Sequence, residues 1–174
     1  RLWHNGGYTS PSTSAENGTT PAWPSRDAAG STNGDGVLLG LEISSATGAG
    51  TPTVTISYTN QAGTSGRSAV NIFATAASCP LGSFYPIGLQ SGDTGVRSVQ
   101  SLTLSATWTS GTMNLVAYRP LALLTAAGLM RSSSIDALTG GFPQLYNGSV
   151  PFLICTPEFN GNSIYAGSVT WTHG

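Results

Sequence analysis

The sequence predicts an all-β chain: an antiparallel β-sandwich or jelly roll with an extended N-terminal arm. Three observations predict it. From Gly36 onward apolar residues recur with a period of two, the signature of strands with one buried face. These runs follow one another at spacings of about 8–15 residues, joined by Gly- and Ser-rich turns, as in sandwiches and jelly rolls. Helical periodicity is confined to one short stretch, and no longer period marks a repeat array. At 174 residues, 39% of them hydrophobic, the chain can bury one good core, which argues for a single domain.

Residues 1–35 are dense in Gly, Pro, Ser, Thr and Asn, with isolated apolar residues, and read as a turn-rich extended arm. Trp3, Tyr8 and Trp23 are costly to leave in water, so the arm is expected to lie against its own domain or a neighbouring subunit. Residues 36–174 form the β domain. GVLLGLEIS reads as a buried strand. TPTVTISYTN alternates, with Val54, Ile56 and Tyr58 on one face and Thr53, Thr55, Ser57 and Thr59 on the other. NQAGTSGR is a loop into the strand RSAVNIFAT. Residues 81–90 are extended, and Pro86 places them at an edge or a bulge. The longest signal, GVRSVQSLTLSATWTS, puts Leu102, Leu104, Ala106 and Trp108 on one face. Gly111 closes a turn, and TMNLVAYRPL returns as its partner. Residues 121–130 suggest a short helix, VPFLICT a compact apolar strand, and SIYAGSVTWTHG a closing strand.

Composition then limits function. Only 7% of residues are charged, against about a quarter in an ordinary domain. None of the six basic residues is a lysine, the residue that most often guards sheet edges. A surface of Ser, Thr, Asn, Gly and Ala can be packed against neighbours without stranding charges, so the chain reads as part of an assembly. A net charge of −1 with 39% hydrophobic residues excludes disorder for most of the chain. Six scattered arginines make no basic stripe, which argues against direct nucleic-acid binding. No apolar run approaches the ~18 residues of a membrane-spanning helix, and no secretory leader is visible. The chain starts at Arg1 and not at methionine, which reads as processing or as part of a longer product.

Catalytic and metal chemistry find little support, and no cofactor is expected. His4 and His173 lie at opposite ends, and no G-x-S-x-G run occurs. No spacing favours a catalytic pair among the seven carboxylates, each of which reads as a turn cap or an arginine partner. Asn33-Gly34-Asp35-Gly36 lacks the later acidic ligands of a calcium loop and reads as a tight turn. Cys79 and Cys155 are either two small buried hydrophobes or one disulfide; with His4 and His173 they do not make a zinc site. The sequons at Asn17 and Asn147 matter only on a eukaryotic secretory route. The tryptophans read as core or interface anchors, with sugar binding as the alternative. Asp93 and Arg97, four residues apart in GDTGVR, are the one charged pair of interest. They pin the turn locally or meet a neighbouring subunit.

The runs SYTNQAGTSGR, PIGLQSGDTGVRSVQSLTLSA, NLVAYRPLALL and FPQLYNGSVPFLICTP, with the closing SVTWTHG, resemble a family of tailed-bacteriophage virion structural proteins. The match runs from about Asp35 to the C-terminus and is carried by turn-and-strand signatures. The arm at 1–35 and Cys79 depart from the pattern. The resemblance transfers no catalytic residue. It implies a virion component that coats or cements the head, on the outer surface of the capsid. Such a protein is expected to be a homotrimer gripping the major capsid protein, with Trp3, Tyr8, Trp23, Asp93 and Arg97 as candidate interface residues. The alternative is a tail- or fibre-associated module that binds host-surface glycans.

Overall fold

Alternation in the sequence becomes a row of strands sharing one buried face, seen in a computed structural model that describes residues 1–17, 20–125, 133–136 and 140–155. The strands are β1 (Trp3–Thr9), β2 (Glu16–Asn17), β3 (Leu38–Ser45), β4 (Val54–Asn60), β5 (Arg67–Asn71), β6 (Phe84–Gly88), β7 (Val96–Leu104) and β8 (Thr112–Tyr118). Every pairing is antiparallel, and the order across the sheet is β1-β8-β3-β6-β5-β4-β7-β2. The fold is all-β, a single curled antiparallel sheet.

That order has a simple origin. β1 pairs with β8, β2 with β7, β3 with β6 and β4 with β5. The chain thus pairs as one long hairpin that turns back between β4 and β5. Rolling the ribbon adds the contacts of β8 with β3, β7 with β4 and β6 with β5. The last of these is short, limited to Val70↔Gly88 and Asn71↔Ile87.

The roll encloses one core. Leu39, Leu41 and Ile43 of β3 face it, as do Val54, Ile56 and Tyr58 of β4, with Val99, Leu102 and Leu104 of β7 and Met113, Leu115 and Ala117 of β8. Trp23 and Trp108, from the connections, are buried in it. Each fully buried aliphatic side chain removes enough apolar surface from water to contribute about 1.5–3 kcal/mol.

Several expectations change on contact with the structure. The segment read as an arm supplies two strands, β1 and β2, and buries Tyr8 and Trp23 in its own core. A bulge between Asn5 and Tyr8, with Gly7 at φ +90°, moves the inward phase from Trp3 and Asn5 to Tyr8 and Ser10. β6, which carries Pro86, is flanked on both sides and is not an edge. The Pro86 carbonyl accepts from Ile72 N–H, so the missing donor also faces β5, where pairing is ending. β7 stops at Leu104, which leaves Ala106 exposed while Trp108 returns to the core. Residues 121–125 are not helical, and 150–155 form no strand, with Val150, Phe152 and Leu153 exposed. Residues 126–130 and the closing strand at 163–174 lie outside the described residues.

Two substitutions test this packing. Leu41→Ala empties a fully buried site and is expected to cost about 2–5 kcal/mol in denaturant unfolding. Gly34 sits at φ +86°, where an added Cβ would lie 1.9 Å from the Val96 carbonyl oxygen, a backbone atom that cannot step aside. Gly34→Ala is therefore expected to lower the unfolding midpoint at least as much as a strained backbone residue does, about 1–3 kcal/mol.

Candidate functional site

One polar cluster forms at the end of the sheet where the ribbon turns back. Tyr58 and Asn60 close β4, Arg67 opens β5, and Asp93 lies in the β6–β7 connection. The Asp93 side chain is only 3% exposed. Its Oδ2 accepts from Tyr58 Oη at 2.5 Å and Arg67 Nε at 2.8 Å; its Oδ1 accepts from Asn60 Nδ2 at 2.7 Å and Arg67 Nη2 at 3.1 Å. A carboxylate has about four lone-pair sites, and here all are in use. Arg67 also donates to the Ser91 carbonyl, and Tyr58 Oη accepts from Gln90 N–H.

The Arg67 guanidinium, aided by Tyr58 and Asn60, holds the Asp93 carboxyl down at about 2. Burial and the Asp93 hydrogen bond push the Tyr58 phenol up to about 12. Asp93 is thus ionised and saturated, with no free lone pair for acid–base or metal chemistry. The cluster is a clasp.

A second saturated carboxylate organises the turn into β3. Asp27 is fully buried and accepts from Ala29, Ser31, Gly34 and Asp35 backbone N–H groups and from the Ser31 hydroxyl. Burial alone would raise its carboxyl, but the bonds from Ser31, Asp35 and Gly34 outweigh it and the net shift is downward. Asn33-Gly34-Asp35-Gly36 is accordingly a turn held from inside by Asp27. Among the described residues, no three His, Cys, Asp or Glu side chains gather as a metal site would require. Cys79 and Cys155 are both free thiols, the first buried beside Tyr85 and the second exposed.

The anticipated interface residues are dispersed. Trp23 is buried and donates its indole N–H to the Val96 carbonyl at 2.6 Å, with Trp3 tilted against it at 5.7 Å. Tyr8 is buried and accepts from Asn5. Asp93 does not pair with Arg97. Arg97 reaches away to Asn33, and its Nε is buried without a partner. The true partner, Arg67, lies 26 residues before Asp93, beyond any local spacing rule.

What the surface offers instead is apolar. Val70 and Ile72 flank Gly88 on the outer side of the β5–β6 seam, and Ile72 and Phe73 are 60% and 58% exposed. The outer face of β3, β6 and β8 is covered differently: Phe84 lies over Gly40 and meets Tyr118 and Phe152 edge-on.

The chain matches no family model, no curated protein and no solved structure. Its site must be read from geometry. Two buried carboxylates serve the fold, and Ile72 and Phe73 are among the large apolar side chains left exposed.

The clasp predicts a pH signature. A carboxyl held below its ordinary value stabilises the fold fully above about pH 4, and that contribution fades as pH falls toward 2. A phenol held above its ordinary value stabilises below about pH 10 and loses that contribution as pH rises toward 12. Thermal unfolding of Asp93→Asn is expected to show a lower midpoint near neutrality and a shallower acid limb than the parent. Asp27 supplies the part of the acid limb that remains.

Proposed function

We propose that the chain is a jelly-roll structural module of a phage virion, a decoration or cement protein on the outer surface of the head, and not an enzyme. The strand order carries this reading. Divided at the two-residue β5–β6 pairing, the order β1-β8-β3-β6 and β5-β4-β7-β2 supports two four-stranded sheets wound as a double Greek key, an architecture of viral capsid and lectin domains. The charge-poor surface and the resemblance to tailed-phage structural proteins support the same role.

Mechanistically, such a protein acts by mass action. It binds the assembled lattice of the major capsid protein and not free subunits, so the bound shell fails only under greater heat or pressure. It acts as a homotrimer. With Tyr8 and Trp23 committed to the core, the contacts to neighbouring subunits pass through the exposed Val70, Ile72 and Phe73.

Heads lacking the protein are expected to open at a lower temperature than complete heads; equal thermal stability would refute the cement role. Phe73→Asp, at an exposed position, is expected to leave the fold intact and reduce occupancy on heads in a sedimentation assay. Immunogold label over the head supports the assignment. Label confined to tail or fibre would replace it with the glycan-binding alternative, since the same architecture also builds lectins.

A further inference from the structure

A cleft lies beside the end of β8, where the first residues and the 144–151 segment come together. Leu2 N–H donates to the Ala117 carbonyl and lays the start of the chain along β8, while Arg119 directly follows that strand. The cleft is lined by Arg1, Arg26 and Arg119, with Ser149 and the apolar Leu145 and Val150 among its walls. Half of the chain's six basic residues therefore meet in one place, although they are scattered in sequence.

Among the described residues, no salt bridge is seen at these arginines. The ion pairs among the described residues are His4–Glu42 and Arg67–Asp93, and neither involves this cleft. The guanidiniums are nonetheless held in place. Arg26 donates to the Gly148 carbonyl, and Arg119 donates to the Gln144 carbonyl while stacking over Tyr146 at 5.6 Å. Each such bond uses one of five N–H donors, so most of the fork on each side chain remains available. Apolar walls weaken the screening of the three like charges, an arrangement that an anion relieves.

We propose that this cleft binds a phosphate group. A single carboxylate would leave two of three positive charges uncompensated, whereas a phosphate dianion with several acceptor oxygens suits a cleft lined by three arginines. Ser149 also lines the cleft. Because Arg26 and Arg119 are already tethered by backbone carbonyls, little side-chain ordering is needed on binding.

Calorimetric titration of the full chain with inorganic phosphate, near neutral pH and at low ionic strength, tests the proposal. Saturable one-to-one binding is expected, weakened about tenfold or more in both Arg119→Gln and Arg1→Gln. Arg1 is exposed and outside the core, so its variant keeps the test valid should Arg119→Gln loosen the 144–151 segment. Methyl phosphate binding as well as the free ion assigns the site to a phosphoryl group carried on a larger molecule; binding of inorganic phosphate alone assigns it to the free ion. Heats no different from sodium chloride at matched ionic strength, or affinity unchanged in both variants, would overturn it.

Discussion

The ion pair between Asp93 and Arg67 holds the point at which the whole ribbon turns. Strands β4 and β5 are the fold-back of a hairpin that runs the length of the sheet, and Tyr58↔Arg67 is the register pair nearest the turn. Asp93 binds Tyr58, Asn60 and Arg67 together from the β6–β7 connection. One buried carboxylate therefore fixes the turn, the register that follows from it and the loop that crosses above. A one-residue slip here would turn Val54, Ile56 and Tyr58 outward and dissolve the core.

Where one face is buried and the strand is straight, the fold was legible in the sequence. β3 and β4 follow their apolar alternation, and Leu102 and Leu104 mark the end of β7; β8 forms where the sequence puts a strand, but it pairs with β1 and β3 and not with β7, the partner its short turn suggested. Legibility failed where the backbone departs from period two. β1 hides its phase behind the Gly6–Gly7 bulge, and β2 is a two-residue strand without any pattern. Ala106 followed the expected alternation, but the strand had already ended and Trp108 reached the core from a loop. Pro86 misled because its missing donor was expected to need an edge or a bulge, whereas an interior strand tolerates it where a pairing runs out.

The site was less legible than the fold, for a reason of distance. For Asp93, sequence proximity offered Arg97 as the partner, whereas the sheet delivers Arg67. The same rolling that enclosed Trp23 removed it from any partner's reach. It also left Ile72 and Phe73 in solvent on a seam only two residue pairs long. Tertiary structure thus exchanged the aromatic residues of the first segment for the aliphatic and aromatic residues of β5 and the loop beyond as the surface open to contact.

The scarcity of basic residues has another side. Arg26, Arg67, Arg97 and Arg119 each donate a hydrogen bond to a residue far away in the chain: Gly148, Asp93, Asn33 and Gln144 respectively. A trypsin-like protease needs a basic side chain free to enter its specificity pocket and a flexible backbone beside it. At these positions the side chain is already engaged, and freeing it means undoing a tertiary contact first. With no lysine anywhere, the folded domain offers digestive enzymes of that class very few places to begin.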